Sequence, residues 1–430
     1  MKRFLVILLL SVLMLGILPA NAELATDTKA DLVFQTWTVE IKEVMEAQLA
    51  EFNKLYPNIN VKFEILSYND YWTKMPIAIA GGAGPDIYIM TRANFDAYAR
   101  AGQCLDFTDE LDSYPMLKED FAGMLPNAVS TYQYHGRQMG VPLSVESTGI
   151  IYNKSIFEKA GLPLPSDIED TWTWDDLREI AQKLTVREGD ETKQYGYYVP
   201  ANRMPALEYI WSTGTELFNE DGTAAIFANE QGISAMEFLN TLMNTDKVSP
   251  TIAFTQSQTA TDLFFSGRIA MMSVNCANIS AFRGITDFGW DVAEMPKNPA
   301  TGLRYASSNV LGYIVGPNTK NKEAALTLVA FLASAPMQGM FSEKGIYIPA
   351  TISVQSPYFE GKTPDNIKAF QRALDYTKPL AFSEYLPYQQ FISIFTNALT
   401  NTFNGVNTPA EALTIAQDEM NTVIQENMEN

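Results

Sequence analysis

The first part of the chain alternates between two spacings of hydrophobic and polar positions. An apolar run at 32–34 precedes apolar residues at helical spacing over 41–56, and Pro57-Asn58 ends that helix. Repeated β-α-β units predict a largely parallel, doubly wound sheet with its ligand beyond the carboxyl ends of the strands. The later segments predicted in this order are the strand 61–65, the helix 71–80, the strand 86–90 and a helix around 95–101.

The N-terminal segment has the pattern of an export signal. Lys2 and Arg3 precede an apolar run over 4–18, and small residues through Ala22 suit cleavage, which predicts a signal peptide over 1–22. The run is shorter than the roughly 20 residues that span a bilayer, so an uncleaved anchor is the alternative. With no cysteine at the cleavage region, we expect a periplasmic protein without a lipid anchor.

Composition limits the partners and the chemistry. A formal charge of −20 disfavours binding to nucleic acid or to anionic membrane surfaces. The single histidine, His135, lies in a predicted hairpin turn, which argues against a Ser/His/Asp triad and a multi-histidine metal site. No phosphate-binding loop of the Walker type occurs either. We therefore expect no metal and no cofactor. The 50 acidic residues still offer pairs of carboxylates such as glycosidases use, and it is the resemblance described next that implies a protein without enzymatic activity.

Five segments together resemble one protein family. The segment 140–154, which reads GVPLSVESTGIIYNK, resembles the hinge of the extracellular solute-binding proteins that deliver sugars to ABC importers. Four further segments resemble motifs of that family in the family order, and maltodextrin-binding proteins are the relatives that the chain resembles most. These segments are GGAGPD at 81–86, WTWDDLREI at 172–180, LFFSGRIAMM at 263–272 and SNVLGYIV at 308–315.

The resemblance implies a periplasmic-binding-protein-like type II fold, in which two doubly wound α/β lobes are joined by a multi-strand hinge. Its N-terminal lobe is expected over 23–144 and 308–346, and its C-terminal lobe over 145–307 and 347–430. The chain would cross between the lobes near 143–147, 305–308 and 346–351. The implied function is a monomeric receptor that captures a sugar between the lobes and delivers it to the transmembrane permease subunits of an ABC importer.

The candidate ligand contacts come from two sources, the ends of predicted strands and the positions at which the family binds its ligands. Trp37 follows the first strand and is either a pocket or a core residue. Glu146 matches a sugar-binding carboxylate of the family, the alternative being a structural hinge hydrogen bond. Trp211 is either a ligand contact or core. The other candidates that the resemblance indicates are Met90, Arg92, Asn94, Asn278, Ser308, Asn309, Tyr388 and Gln389.

Three of these positions leave the ligand class open. Met90 and Asn278 stand where maltodextrin-binding relatives carry aromatic residues, which indicates a different or smaller glycan. Arg92 is either a ligand contact or a surface charge. An acidic ligand would recruit Arg92, Arg203 or Arg283, and a polyamine would need several carboxylates near aromatic rings. The alternatives are therefore a glycerol phosphodiester, a polyamine or a sugar acid on the same fold, or a secreted glycosidase with paired carboxylates.

The two cysteines are expected to remain unpaired. Under the resemblance Cys104 lies in the first lobe and Cys276 in the second, away from the hinge. A disulfide between them would prevent the lobes from moving, so two buried free thiols are predicted, although an oxidising compartment permits pairing. Trp172 and Trp174 are predicted to be core residues.

Overall fold

The structure, a computed structural model, describes residues 27–200, 203–361, 363–379 and 383–429. The predicted signal peptide lies outside the described residues. The strands are β1 Ala30–Thr36, β2 Ile59–Ile65, β3 Ile87–Thr91, β4 Gln133–Tyr134, β5 Arg137–Gln138, β6 Val141–Val145, β7 Thr148–Asn153, β8 Val186–Glu188, β9 Glu191–Gln194, β10 Met271–Asn275, β11 Trp290–Ala293, β12 Ala306–Ser308, β13 Leu311–Val315, β14 Ile348–Pro349 and β15 Thr377–Pro379.

Local sequence signals account for most helix starts. Thr408 caps the last helix through its side chain, and Pro409 takes the first turn. The helices are α1 Lys42–Leu55, α2 Tyr68–Ala80, α3 Arg92–Arg100, α4 Pro115–Gly123, α5 Pro126–Ser130, α6 Lys154–Ala160, α7 Pro165–Ile168, α8 Trp174–Leu184, α9 Arg203–Ser212, α10 Glu230–Asn240, α11 Ile252–Thr255, α12 Ala260–Phe265, α13 Ile279–Phe282, α14 Lys322–Ala333, α15 Ala335–Lys344, α16 Ser356–Phe359, α17 Lys368–Ala373, α18 Tyr388–Phe403 and α19 Pro409–Met428.

The larger sheet has six strands in the order β14-β6-β13-β3-β1-β2. Strands β2, β1 and β3 are parallel, as the alternating pattern predicts. Strand β13 is antiparallel to both of its neighbours, and β14 is antiparallel to β6. The sheet is therefore mixed, and the expectation of a largely parallel sheet is wrong for its second half. The reason is that β13 and β14 come from chain segments that return to this sheet after a long excursion.

A second sheet contains β7 between β10 and β11, both antiparallel to it. Only Glu146 and Ser147 separate β6 in the first sheet from β7 in the second. The chain returns to the first sheet through Asn309 and Val310, which join β12 to β13. These two passages lie where the sequence places them.

The third passage lies later in the chain than the predicted 346–351. Strand β14 still pairs with β6 of the first sheet, and Thr351 forms a bridge with Met124. Helix α16 still packs on α15, whereas the next helix, α17, packs on β7 of the second sheet. The chain thus passes between the sheets after Phe359 and before Lys368. The exact lobe bounds stay a prediction.

Two groups of buried side chains form the core. One covers both faces of the first sheet and continues past β10 and β11, and the other surrounds α8, α9, α18 and α19. Trp172 and Trp174 are buried in the second group, which confirms their predicted core role. The β4–β5 hairpin turns at His135 and Gly136, both with positive φ, so the predicted turn is also confirmed.

A long apolar helix would indicate a membrane protein, and a cluster of metal-binding side chains would indicate a metalloprotein. Among the described residues no single helix is long and apolar enough to cross a membrane, although α14 and α15 reach that length and apolarity together, with a 51° bend between them. No group of three or more histidine, cysteine or acidic side chains in the described part of the chain is arranged to hold a metal ion.

Cys104 and Cys276 are both buried and unpaired. Burial raises the pKa of each thiol to about 12. Cys276 lies at a passage between the sheets, contrary to prediction, because its N–H donates to Ser147 O at 3.0 Å and Ser147 N donates to its Sγ at 3.4 Å. Pairing of β10 with β7 places Asn275 opposite Thr148, so the next residue meets Ser147.

Thiol counting on denatured, non-reduced protein is expected to find two free groups per chain. The physical reason is that a disulfide needs Cα atoms roughly 4.4 to 6.8 Å apart, and the two buried thiols are unpaired in different parts of the fold. The same count after reduction is the control. No free thiol before reduction and two after it would contradict this expectation.

Candidate functional site

Trp37 and Arg92 follow parallel strands whose carboxyl ends share one edge of the first sheet. Trp37 is half-buried after β1, and its ring centroid lies 4.9 Å from that of Tyr71 and 5.0 Å from that of Trp72. One aromatic cluster therefore supports this ring. An indole held in this way loses little conformational freedom when a ligand stacks on its open face.

Arg92 and Asn94 belong to the first turn of α3. Arg92 Nη1 lies 2.6 Å from Asp96 Oδ1, and the guanidinium carbon lies 5.7 Å from the ring centroid of Phe95. Asn94 is buried and donates from Nδ2 to Thr91 Oγ1 at 2.8 Å. Both side chains therefore already have partners within their own helix turn, and the Arg92 charge is met by a carboxylate.

Glu146 occupies the passage from β6 to β7 and is only 8% exposed. Asn275, at the end of β10, donates from Nδ2 to Glu146 Oε2 at 2.9 Å, so this bond joins the two sheets. Burial raises the pKa of Glu146 to about 7, with the Asn275 hydrogen bond acting in the opposite direction. Among the described residues no hydrogen bond reaches Glu146 Oε1.

Ser308 and Asn309 lie at the second passage, beside the end of β3. Arg92 N donates to Val310 O at 3.0 Å. The Tyr132 hydroxyl lies 2.6 Å from Met90 O and 2.7 Å from Val310 O. Asn309 Oδ1 is buried and has no hydrogen-bond partner in the described part of the chain.

Strand pairing brings Glu146, Arg92 and Asn309 near one another. Leu311, two residues after Asn309, pairs with Thr91 of β3 and with Ser144 of β6. Arg92 follows Thr91 directly, and Glu146 lies two residues after Ser144. We call Glu146, Arg92 and Asn309 the crossing cluster.

The family follows from comparison with known proteins. The profile of the family described as "Bacterial extracellular solute-binding protein" matches residues 36–339. The chain belongs to this family. An arabinooligosaccharide-binding protein of Halalkalibacterium halodurans is 22% identical over 420 residues, covering 92% of this chain and 90% of that protein. A putative binding protein of Brucella abortus is 22% identical over 393 residues, covering 90% and 89%.

Solved structures agree on the fold. An ABC substrate-binding protein from Listeria monocytogenes, in complex with cycloalternan, is similar with a TM-score of 0.83 and 26% identity, covering 93% of this chain and 100% of that one. The GacH receptor of Streptomyces glaucescens, solved unliganded and with acarbose, is similar with a TM-score of 0.79 and 21% identity, covering 93% and 99%. The predicted family and the type II binding-protein fold with two α/β lobes are confirmed.

In this solute-binding protein, three candidate contacts are buried in the core instead of lining a cleft. Met90 is fully buried because β3 is covered on both faces. Trp211 is 3% exposed on α9, which is packed on all sides. Tyr388 is buried at the start of α18, with its ring parallel to that of Phe391. This conformation thus favours core roles for these three side chains.

The remaining candidates lie at the surface or outside the crossing cluster. Asn278 is exposed at the end of the 3-10 turn Cys276–Asn278, and Gln389 is exposed on α18. Arg283 donates from Nε to Thr363 O at 2.9 Å. The side chain of Arg203 lies outside the described residues.

Sequence reasoning missed several polar groups of this solute-binding protein. Glu208, on α9, is buried beside the crossing strands, and a lone acid within the apolar run 205–211 was the available signal. No local sequence pattern marks Asn275 as a hydrogen-bond partner of Glu146. Glu384 accepts a hydrogen bond from the Tyr134 hydroxyl, and Arg100 Nη2 donates to Asn427 O at 2.6 Å, so the C-terminal segment contacts the first lobe.

Proposed function

We propose that this chain is the substrate-binding component of an ABC importer, which captures a neutral sugar or oligosaccharide between its lobes and delivers it to the permease. The crossing cluster carries the proposal. It combines a carboxylate buried in the passage from β6 to β7 with the Asn275 side chain at the end of β10, which donates a hydrogen bond to it. A ligand that contacts both lobes favours their closed arrangement, because it binds that arrangement more tightly.

The chemistry of the free acceptors suits a polyhydroxylated ligand. Glu146 Oε1 and Asn309 Oδ1 lack partners in the described part of the chain. Sugar hydroxyls donate to such oxygens, and the half-buried Trp37 offers a ring against which an apolar sugar face can stack. The relatives named for arabinooligosaccharide and the structures bound to cycloalternan or acarbose support this ligand class.

A non-sugar solute on the same fold is the second candidate. An acidic ligand needs an available cation. Arg92 is paired with Asp96, and Arg283, whose buried Nη2 lacks a partner in the described part of the chain, lies outside the crossing cluster. A polyamine would bind next to charged carboxylates, and the raised pKa of Glu146 disfavours its charged form. A neutral ligand therefore fits better than either.

We further propose that the protein has no catalytic activity. The similar proteins named above are binding proteins. A secreted glycosidase would release reducing ends from oligosaccharides, so incubation with the glycans that bind, followed by an assay for reducing ends, tests this. Release of reducing ends above the rate in a protein-free control would contradict the proposal.

The proposal also covers the cellular location and the oligomeric state of the protein. We propose a periplasmic monomer without a lipid anchor that is exported by a cleaved signal peptide over 1–22. Its first lobe comprises 23–144 with 308–359, and its second comprises 145–307 with 360–430, because the third passage follows Phe359. Mass spectrometry of the exported protein and sedimentation at micromolar concentration test these points.

Small-angle scattering is expected to show a smaller radius of gyration with saturating ligand than without it. Thermal-shift screening of mono-, di- and oligosaccharides, sugar acids and polyamines first selects the ligand, for which an affinity near micromolar, roughly −8 kcal/mol, suits capture and release. A sugar that produces no thermal shift is the control. An unchanged radius with a ligand that binds would overturn closure of the lobes.

A further inference from the structure

Glu208 is the one acidic residue in the sequence of α9, and it is buried. Its neighbours Leu207, Tyr209 and Ile210 are each at most 1% exposed, and Glu208 itself is 1% exposed. Burial raises the pKa of its carboxyl to about 7. A carboxyl in such a place loses hydration, and a leucine would fill the space without that cost.

One oxygen of Glu208 collects hydrogen bonds from two different strands. Oε1 accepts from the Thr148 hydroxyl, from Ser307 N at 2.9 Å and from Ser307 Oγ at 2.6 Å. Ser307 N also lies 3.2 Å from Thr148 Oγ1, which closes a three-residue network. The other oxygen, Oε2, is buried and has no partner in the described part of the chain.

The two strands in this network adjoin the first two passages between the lobes. Thr148 begins β7, two residues after Glu146. Ser307 lies in β12, two residues before Asn309. A single carboxylate oxygen therefore fixes the distance between β7 and β12, at a point next to the crossing cluster.

We propose that Glu208 is a positioning residue, which holds β7 and β12 together so that Glu146 and Asn309 meet the ligand in one geometry. The effect on ligand binding rests on the proposed function, whereas the coupling of the two strands does not. Glu208 touches no ligand in this proposal and acts through Thr148 and Ser307. A bond network that only stabilised the fold would leave affinity unchanged in any folded variant.

Three variants separate these roles. Glu208→Leu removes the acceptor, and its affinity for the best glycan is expected to fall about tenfold. Glu208→Gln keeps an acceptor oxygen in place and is expected to retain affinity within about twofold of wild type. Glu237→Gln, at an exposed position on α10, is the matched control and should match wild type. Isothermal titration gives the affinities of the folded proteins.

A second pair of variants covers the case in which Glu208→Leu fails to fold. Thr148→Val removes the hydrogen bond that β7 makes to Glu208, and Ser307→Ala removes one of the two that β12 makes, because Ser307 N still donates to Oε1. The combination is expected to lose affinity, by less than the tenfold of Glu208→Leu, while Glu208 stays in place. An unchanged affinity in that combination, with the fold intact, would overturn the proposal.

A readout without ligand distinguishes failure of this proposal from failure of the proposed function. Nitroxide labels at Lys62→Cys and Lys183→Cys, both exposed and in different lobes, report the distance between the lobes by pulsed electron resonance. The native cysteines are buried and poorly reactive. We expect a broader distance distribution for Glu208→Leu than for wild type or Glu208→Gln.

The outcomes are distinct. If no glycan binds the wild-type protein, the proposed function fails, and the distance distributions still test the coupling of the strands. If Glu208→Leu matches wild type in both distribution width and affinity, or if Glu208→Gln loses as much affinity as Glu208→Leu, Glu208 is not a positioning residue.

Discussion

Replacement of Glu146 by glutamine is expected to weaken glycan binding by about 1.5 to 3 kcal/mol, roughly 10- to 150-fold. The reason is the loss of a carboxylate acceptor for a sugar hydroxyl at Oε1, which carries its charge above the pKa of about 7, so the titration is done at pH 8. The melting temperature of the ligand-free protein should change little, because a glutamine carbonyl can still accept the hydrogen bond from Asn275. Isothermal titration and a thermal melt measure the two quantities separately.

The same pair of measurements decides between the two roles open for Glu146. Glu237→Gln, which removes an exposed acid, is the control for the change in net charge. A large drop in melting temperature with intact affinity would instead assign Glu146 to a structural hydrogen bond across the hinge. In that case Asn309 would be the residue of the crossing cluster that accepts hydrogen bonds from the ligand.

The stability of the ligand-free protein is expected to fall as the pH rises from about 4.5 to about 7. Burial raises the pKa of Glu146 and of Glu208 to about 7 from the ordinary value of 4.5. Between these values the folded protein holds protons that the unfolded chain has lost, so a rise in pH favours unfolding. Each carboxyl accounts for on the order of 3 kcal/mol, and the two together for about 6 kcal/mol at most.

Urea unfolding across this pH range measures the effect. The double variant Glu146→Gln, Glu208→Gln should show a shallower decline than wild type, because neither amide titrates. Glu237→Gln should follow the wild-type curve. Some acids have a lowered pKa, such as Asp106 through hydrogen bonds from Thr108 and Arg137, and Asp246 through its hydrogen bond from Arg178. They lose their stabilising effect only at lower pH and do not enter this window. Parallel curves for wild type and the double variant would contradict the expectation.

The local parts of the fold were predictable because their signals lie within a few residues. The spacing of apolar residues over 41–56 indicates α1, apart from a first turn that is a 3-10 helix at Val39–Ile41. Helix α2 begins three residues before the predicted start, since the Ser67 side chain accepts from Asp70 N and caps it there. Pro76 is accommodated inside that helix.

The candidate site was predictable only in part. The segment 140–154 predicted a passage between lobes with Glu146 in it, and the structure places Glu146 between β6 and β7. Exposure was not predictable from the same signals. Met90 lies on a strand and Trp211 on a helix, and each faces a cleft or the core depending on which other elements pack against it. Those elements come from distant segments of the chain.

The sequence by itself determined the family, the order of strands and helices from β1 to α3 and the approximate places of the first two passages between the lobes. Each of these depends on residue spacing or on motifs within one segment. Only the tertiary structure decided the mixed strand order, the later third passage, the place of Cys276 beside Ser147 and the network of Glu208. That network joins side chains 60 and 99 positions apart, and such contacts follow from how the sheets pack, because no local pattern encodes a partner at that distance.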